Sequence, residues 1–354
     1  MTVLSVAFPL LPVSADAAGG SEQILWYLER GIAGAGYRSF VIAARGSSVS
    51  GCLLPTLAAN HEISEETRRI AHRAHRNAIE SVLATTEVDL IHFHGLDFAE
   101  YIPSSGPPML ATLHLPVNWY PPHIFDMPGL TVNFVSQTQA RSHPVANGCP
   151  VICNGIDLPR YRAQEQKEGF LFVLARICPE KGIDTALRVA HRLGMDMIVA
   201  GPVHPFATHR AYFEEEVEPL LDAKRRYIGP VGFEEKIDLL ARAKCLLAPS
   251  TVAETSSLVG MEALASGTPV VAFRSGALPE VIEHGLSGFI ADSEDEMAEA
   301  VARIEEIPAA RCRAAAAARF DGKRMLREYL SLYERLRCSS TRQRRMASAP
   351  HSVL

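Results

Sequence analysis

The 354-residue chain lacks several features that define other classes of protein. No apolar run approaches the roughly 18 residues of a membrane-spanning helix. Met1–Leu11 contains no basic residue, so we expect no secretory signal peptide here. The seven cysteines are an odd number, spread thinly and without a Cys-x-x-Cys pair. Neither a disulfide framework nor a zinc site is therefore expected, and a reducing cytoplasm is the expected location.

The chain also lacks an excess of basic residues. Lys and Arg number 35 against 40 Asp and Glu, which gives a formal charge of −5. Non-specific binding to nucleic acid depends on neutralising phosphates, so this balance excludes a general nucleic-acid binder. Hydrophobic residues make up 47% and charged residues 21%, as in ordinary globular proteins. At about 150 residues per domain, the length predicts two domains or slightly more.

Short apolar runs alternate with helical patterns along the whole chain. The runs are rich in Val, Ile, Leu and Phe and do not alternate with polar residues, which is typical of parallel strands covered on both faces. In the first half they are Val3–Phe8, Ser39–Ala43, Val88–Phe93, Pro108–Leu113, Thr131–Val135 and Val151–Cys153. In the second half they are Phe170–Leu174, Met197–Ala200, Arg226–Ile228, Cys245–Leu247 and Val270–Phe273. The pattern predicts an α/β protein with two doubly wound parallel sheets and a cleft between them.

Polar segments divide this pattern into parts. The stretch Pro159–Glu168 reads as a linker between a first domain, 1–158, and a second domain, 159–320. A helix is predicted over Gly322–Arg337. The remainder, Cys338–Leu354, has no apolar period and is predicted to be a disordered tail. Its arginines could meet anionic lipid, but a solvated tail is favoured.

Two loops have the composition of anion-binding sites. Ligands of open parallel sheets bind beyond the carboxyl ends of the strands. Gly19-Gly20 follows the first strand and precedes a helix whose N–H groups are free for an anion. Arg176 and Lys181 follow the first strand of the second half and could both reach a phosphate group. An ordinary turn and an ordinary solvated loop are the alternatives for these two segments.

The segment Ala248–Ala272 carries the densest signal. A strand ends at Pro249, a helix is predicted from about Ser256 to Gly267, and Glu254 and Glu262 stand eight residues apart. A ligand along this helix could touch both carboxylates, with the N–H groups of Ser256, Ser257 and Leu258 facing a phosphate. Glu262 has apolar neighbours, so a buried carboxylate there needs hydrogen-bond donors, for which sugar and ribose hydroxyls are suitable. The alternative is two unrelated glutamates.

Histidines close two strands of the first half. His94 and His114 follow neighbouring predicted strands and should lie side by side at the ligand edge, with His92 further inside its strand. Substrate contact is favoured, and structural histidines are the main alternative. Metal ligation by the three imidazoles is a weaker alternative, because no carboxylate or cysteine lies at ligand spacing.

These motifs occur in an order that resembles a known family, the family 4 (group 1) retaining glycosyltransferases. The resemblance extends from Val3 to about Leu336. The ordered set is specific, although each piece alone is weakly so. Its pieces are Gly19-Gly20, Asn154-Gly155-Ile156-Asp157, Arg176 with Lys181-Gly182, Glu254-x7-Glu262, Gly267-Thr268-Pro269-Val270-Val271, Gly276-Ala277-Leu278-Pro279-Glu280 and Gly285-Leu286-Ser287-Gly288-Phe289.

The resemblance implies a GT-B fold, two Rossmann-like domains of which the second binds a nucleotide-sugar donor. It implies that the final helix, 321–337, returns to the first domain. Catalytic and donor-binding roles then fall on Gly20, His114, Arg176, Lys181, Glu254, Ser256, Ser257, Leu258 and Glu262. Among these, Arg176 and Lys181 would neutralise the diphosphate, Glu254 would contact the sugar, and Glu262 would hold the ribose.

The resemblance also implies retaining hexosyl transfer with no catalytic metal and no cofactor beyond the nucleotide sugar. In agreement, the chain contains no Asp-x-Asp motif. Two departures from the family stand at the predicted site. Thr255-Ser256-Ser257 replaces a Gly-Phe-Gly-like stretch, and Ala175 replaces a glycine. They motivate a second hypothesis, a nucleotide-sugar-binding regulatory protein with little turnover. A GT-B nucleotide-sugar epimerase or phosphorylase is the third.

The acceptor is left open as a glycan, a lipid-linked sugar or a small molecule. The resemblance assigns it to loops of the first domain, here Arg45–Asn60 and Pro116–Pro128. His94, Trp119 and Tyr120 are the acceptor-side candidates, since aromatic faces stack on sugar rings, and core packing is the alternative for the two aromatic residues. Four arginines decorate the predicted helix Glu65–Leu83, but its acidic residues and weak apolar stripe favour a solvated face over contact with the inner face of the cytoplasmic membrane.

Overall fold

The computed structural model describes residues 1–17, 19–57, 64–144, 148–164 and 166–347. The chain divides into two compact units. Unit 1 comprises Met1–Val135, Ala140–Ile152 and Lys323–Leu354, and unit 2 comprises Ser136–Gln139 and Cys153–Gly322. Each unit has its own sheet and its own buried core.

Unit 1 is built on a six-stranded parallel sheet of order β3-β2-β1-β4-β5-β6. Its strands are β1 Thr2–Val6, β2 Arg38–Ala44, β3 Cys52–Thr56, β4 Leu90–Phe93, β5 Met109–Leu113 and β6 Leu130–Phe134. Its helices are α1 Gly20–Gly34, α2 Glu65–Thr85 and α11 Gly322–Ala347, while α3 Gln137–Arg141 crosses the boundary of the two units. The strands β1, β4 and β5 are buried along their whole length, which explains their continuous apolar sequence.

Unit 2 repeats the architecture with a six-stranded parallel sheet of order β12-β11-β10-β7-β8-β9. Its strands are β7 Leu171–Leu174, β8 Met197–Ala200, β9 Arg225–Tyr227, β10 Cys245–Ala248, β11 Val270–Phe273 and β12 Gly288–Ala291. Its helices are α4 Ile183–Leu193, α5 Ala207–Tyr212, α6 Phe233–Arg242, α7 Leu258–Ala265, α8 Leu278–Val281, α9 Glu294–Ala302 and α10 Ala309–Arg319. The prediction of two Rossmann-like, doubly wound sheets is confirmed.

Two strands were not predicted and one predicted strand is absent. The edge strand β3 contains Pro55. Proline has no N–H group to donate to a neighbouring strand, so it is tolerated at the edge of a sheet but argues against a strand in the sequence. The strand β12 begins at Gly288, where a Cβ atom would lie 2.0 Å from the Val270 carbonyl oxygen, so a glycine is required inside the sheet. Val151–Cys153 was predicted as a strand, but Val151 forms only an isolated bridge to Phe134.

The predicted linker Pro159–Glu168 is wrong for the residues described. Tyr161 is buried in the core of unit 2. The Lys167 ammonium donates hydrogen bonds to the Ala241 and Ser266 carbonyls and to the Thr268 hydroxyl. These contacts hold the stretch against unit 2. They involve residues far away in the sequence, so the local polar composition did not predict them. Glu165 lies outside the described residues.

The C-terminal helix is longer than predicted. It continues through Ala347 rather than ending at Arg337, so the predicted disordered tail is helical over Cys338–Ala347. The first proline after Gly322 is Pro350, and the intervening arginines and glutamine are good helix formers. Residues 348–354 of the predicted tail lie outside the described residues, as do residues 58–60 of the predicted acceptor loop. The rest of that loop includes strand β3.

Among the described residues, no helix is long and apolar enough to cross a membrane. The arginine-bearing helix α2 is amphipathic in the ordinary way. Its buried residues are Ala71, His75, Ile79 and Val82, and the exposed Arg69 pairs with Glu66 at 2.7 Å.

Candidate functional site in unit 2 and its counterpart in unit 1

The loop after β7 is held against the loop after β10 by a glycine. Gly182 adopts a positive φ of 63° and ends the turn Pro179–Lys181. A Cβ atom at this position would lie 2.4 Å from the Pro249 carbonyl oxygen. Both the conformation and the space therefore require glycine. The turn leaves Arg176 exposed and directs Lys181 toward the loop that carries Glu254.

Lys181 and Glu254, predicted as parts of one site, are in direct contact. The Lys181 ammonium donates to Oε1 of Glu254, and the Ser250 hydroxyl donates to the same oxygen at 2.7 Å. Their side chains are 22% and 17% exposed, so a ligand can reach both groups. Gly276 allows the next loop to approach, because a Cβ atom there would lie 2.2 Å from the Glu254 carbonyl oxygen. The structure thus gives Glu254 a fixed position with a cation beside it.

Helix α7 begins slightly later than predicted. Ser257 is its N-cap, and the Ser257 hydroxyl accepts a hydrogen bond from the Gly260 amide at 3.2 Å. The predicted anion-binding amides therefore begin at Leu258, with Ser256 and Ser257 preceding the helix. Among the described residues, every positive φ belongs to a glycine. Ser256 and Ser257 consequently adopt a backbone that any residue allows.

The second glutamate, Glu262, lies in the core of unit 2. Only 3% of its surface is exposed. Its Oε1 accepts hydrogen bonds from the Tyr161 hydroxyl at 2.8 Å and from the Lys236 ammonium at 2.6 Å. A buried carboxylate needs such partners to remain ionised. The sequence pattern predicts sugar hydroxyls as its donors but not these two protein groups, because they come from segments distant along the chain. The signal available for Lys236 was its rarity, since the chain has only six lysines.

Tyr161→Phe should destabilise unit 2 without changing its shape. Removing a hydrogen bond to a buried carboxylate costs about 1.5–3 kcal/mol. The matched control is Tyr227→Phe, whose hydroxyl also donates over 2.8 Å, but to the neutral Gly201 carbonyl. Thermal unfolding of both variants should show the larger fall in Tm for Tyr161→Phe. Equal shifts would show that the Glu262 charge adds nothing to this bond.

The glycine pair of unit 1 opens helix α1. Gly19 is the N-cap and Gly20 is the first helical residue, while Ala18 lies outside the described residues. The Glu22 carboxylate folds back over this turn, where a Cβ atom on Gly19 would lie 1.9 Å from its Oε2. Burial raises the pKa of Glu22, and the Ser21 hydroxyl donates to it at 3.0 Å. Glu22 is not among the predicted site residues.

His94 and His114 form the pair that the sequence predicted. Nδ1 of His94 and Nε2 of His114 lie 3.0 Å apart, and the rings are stacked with centroids 5.3 Å apart. His92 instead uses both ring nitrogens inside the core, with the Tyr333 hydroxyl at 2.7 Å and the Thr112 hydroxyl at 2.8 Å. His92 therefore has no nitrogen left for a metal, and its role is to anchor α11 to the sheet of unit 1.

Acid should destabilise unit 1 through these imidazoles. Burial lowers the pKa of His94 well below its ordinary value and the pKa of His114 from 6.5 to about 3. The folded state then binds fewer protons than the unfolded state between these values, so the free energy of unfolding falls as pH drops from 6.5 toward 3.

His114→Gln should flatten this dependence, which Tm measured at about pH 7.5 and about pH 5 would test. An unchanged difference in Tm between the two pH values would contradict the assignment.

The two aromatic acceptor candidates differ in exposure. Trp119 is 54% exposed and offers its ring to solvent. Tyr120 is only 3% exposed and packs in the core of unit 1, where its hydroxyl accepts a hydrogen bond from the Leu115 amide at 3.3 Å. The acceptor-side prediction for Tyr120 is therefore corrected to core packing, because the short turn Val117–Trp119 directs the two neighbouring rings differently.

Comparison with known proteins shows similarity to glycosyltransferases. Residues 157–320 match the model of the glycosyl transferases group 1 family. A D-inositol 3-phosphate glycosyltransferase of Corynebacterium efficiens is 35% identical over 130 residues, which are 34% of this chain and 30% of that protein. The match spans less than half the length of the first curated relatives.

Solved structures extend the similarity to nearly the whole chain. AviGT4, a glycosyltransferase involved in avilamycin A biosynthesis, is 26% identical with a TM-score of 0.72, covering 95% of this chain and 98% of that one. HepE of Anabaena, in complex with UDP-glucose, has a TM-score of 0.71 at 18% identity, with 94% of this chain and 99% of that chain covered. With its two six-stranded parallel sheets, the chain has the GT-B fold, and its residues 157–320 are similar to the group 1 glycosyltransferases.

Proposed function

We propose that this protein is a retaining hexosyltransferase that moves a sugar from a nucleoside-diphosphate donor to a glycan, lipid-linked or small-molecule acceptor. The observation that supports it most directly is the contact of Lys181 with Glu254 in unit 2. It brings together a lysine that can bind phosphate and a carboxylate that can bind sugar hydroxyls, at the carboxyl ends of β7 and β10. HepE binds UDP-glucose on the same fold.

The donor diphosphate is assigned to Arg176, Lys181 and the amide of Leu258. Arg176 is exposed on the loop after β7, and Lys181 needs only to exchange the Glu254 oxygen for a phosphate oxygen. Gly20, at the start of α1, is assigned a supporting backbone contact in unit 1. Fixed positive groups of this kind stabilise a leaving diphosphate without reorganisation during the reaction.

The ribose of the donor is assigned to Glu262. Tyr161 and Lys236 both donate hydrogen bonds to Oε1 of this carboxylate. The hydroxyls of a ribose would then be read by Oε2. The nucleotide of the donor is proposed to be UDP or GDP, and the identity of the donor sugar is left open.

The transfer step requires no metal in this proposal. The glycosyl–phosphate bond breaks, its electron pair stays on the diphosphate, and the acceptor hydroxyl attacks from the same face of the sugar. The acceptor proton passes to the departing phosphate oxygen. Glu254 orients the sugar and offsets its developing positive charge, while the neutral His114 hydrogen-bonds a sugar hydroxyl, positioned by His94.

The acceptor is assigned to unit 1, near His94, His114 and the exposed ring of Trp119. A cytoplasmic location with at most peripheral membrane contact is part of the same proposal. The regulatory alternative, binding with little turnover, loses its main physical reason, since the serines before α7 occupy an unstrained backbone.

Turnover of nucleotide sugars tests the proposal. The full chain is incubated with UDP-, GDP- and ADP-hexoses and candidate glycan acceptors, in chelator and then in Mg²⁺, and the product anomer is read by proton NMR. Transfer with retained configuration in chelator is expected, with loss in Glu254→Gln. Donor binding without any turnover would favour the regulatory protein, and an epimerised free sugar would favour an epimerase.

A further inference from the structure

Three metal-ligating side chains meet in unit 2, and no part of the proposed transfer uses them. Cys178 and Glu180 belong to the loop after β7, and His209 comes from α5. The thiol sulfur, one carboxylate oxygen and one imidazole nitrogen all lie within 4.8 Å of one another. The turn Pro179–Lys181 produces the arrangement, since it follows Cys178 directly and carries Glu180 on its own backbone.

His209 supplies an independent sign of a missing partner. It is only 8% exposed, and its Nδ1 has no hydrogen-bond partner among the described atoms. An unsatisfied buried nitrogen costs about 1–3 kcal/mol unless something binds it. The Cys178 side chain is also buried; its thiol hydrogen-bonds the Glu180 carboxylate, and its sulfur lies 3.7 Å from the Arg176 carbonyl oxygen. Of the three groups, His209 therefore carries the nitrogen without a hydrogen-bond partner among the described atoms.

The donor set selects a class of metal. Thiolate, imidazole and carboxylate together suit zinc, whereas Mg²⁺ and Ca²⁺ prefer oxygen ligands alone. Zinc bonds of about 2.0–2.3 Å bring ligand atoms to roughly 3.5 Å from one another, so the three side chains need to close by an ångström or so. Glu180 is exposed, which leaves a fourth position for water. The thiolate and the carboxylate would balance the charge of a dication.

We propose that Cys178, Glu180 and His209 form a binding site for a zinc-class transition-metal ion. On binding, the Cys178 proton leaves to solvent and the ion forms bonds to sulfur, nitrogen and oxygen. The ion ties the loop after β7 to α5. Arg176 and Lys181 lie on that same loop, so the ion holds the loop in position. It takes no part in the transfer step itself. The site does not rest on the proposed function, since its ligands are separate from Glu254 and Glu262.

Cobalt substitution tests the site by its spectrum. The metal-free full chain is titrated with Co²⁺, and one equivalent should produce a thiolate-to-cobalt charge-transfer band that Zn²⁺ abolishes. Cys178→Ser should remove the band, and His209→Ala should weaken binding by at least about 10-fold. Circular dichroism and Tm establish that each variant is folded. His209→Gln is the second variant if His209→Ala unfolds.

The controls are the exposed cysteines Cys52 and Cys338, which lie outside the cluster. Cys52→Ser and Cys338→Ser should retain the full band. A titration without a charge-transfer band, or a band that survives in Cys178→Ser, would overturn the proposal. So would equal affinity in His209→Gln and the unchanged protein.

Discussion

Lys181→Met is expected to lower kcat/KM for the nucleotide-sugar donor by about 10²- to 10³-fold, the usual cost of removing one preorganised group that faces developing charge. The physical reason is that the leaving diphosphate gains negative charge in the transition state while Lys181 stands beside the sugar-orienting Glu254. Steady-state kinetics with a fixed acceptor would measure it. The matched control is Lys224→Met, an exposed lysine of unit 2, which should change kcat/KM less than about threefold.

The Lys181 variant also frees the Glu254 carboxylate, so the two effects must be separated. Glu254→Gln keeps the hydrogen-bond geometry with Ser250 and removes the charge. It should lower kcat while leaving the affinity for the nucleoside diphosphate nearly unchanged, whereas Lys181→Met should lower both. A Lys181→Met enzyme with full activity would exclude Lys181 from the diphosphate site.

Glu262→Gln is expected to lower the stability of unit 2 by about 3–5 kcal/mol, because it leaves a buried ammonium without its counter-charge. The side chains of Lys236 and Glu262 are 11% and 4% exposed and lie 2.6 Å apart. Thermal unfolding would show the loss as a lower Tm. The matched control is Glu305→Gln, whose carboxylate pairs with Lys244 at 2.8 Å but is 82% exposed, and this change should lower the Tm far less because solvent screens the pair.

A double-mutant cycle identifies the cause of that loss. Lys236→Met combined with Glu262→Gln removes both charges and should recover most of the stability lost by either single variant. Additive losses would contradict the buried pair. Because both residues come from unit 2, the cycle is independent of anything in unit 1.

The sequence was sufficient to predict those strands and helices whose apolar pattern and end signals are local. Runs such as Val270–Phe273 are apolar because both sheet faces are covered, and Gly267 ends α7 at a positive φ of 69°, so spacing alone places Glu254 and Glu262 around one helix. The strands β3 and β12 escaped because a proline and a glycine carry turn-like signals while serving packing needs that arise only in the assembled sheet.

The sequence does not predict which protein groups form hydrogen bonds with the site residues. Tyr161 reaches Glu262 across 101 positions of sequence, and Lys236 across 26. No periodicity links such distant residues, and the polar composition around Tyr161 suggested a linker. For Tyr120 the residue type itself was misleading. An aromatic ring is suited to stacking on a sugar, but this ring is buried in the core of unit 1.

Calorimetric titration of the full chain with UDP, GDP and ADP tests the central claim, a nucleoside-diphosphate site built on Lys181 and Glu262 in unit 2. We expect one nucleotide to bind without metal, and its affinity to fall at least tenfold, about 1.4 kcal/mol, in Lys181→Met and in folded Glu262→Gln. Lys224→Met should bind like the unchanged protein. If none of the three nucleotides binds, or if binding is unaffected by both site variants, the claim is contradicted.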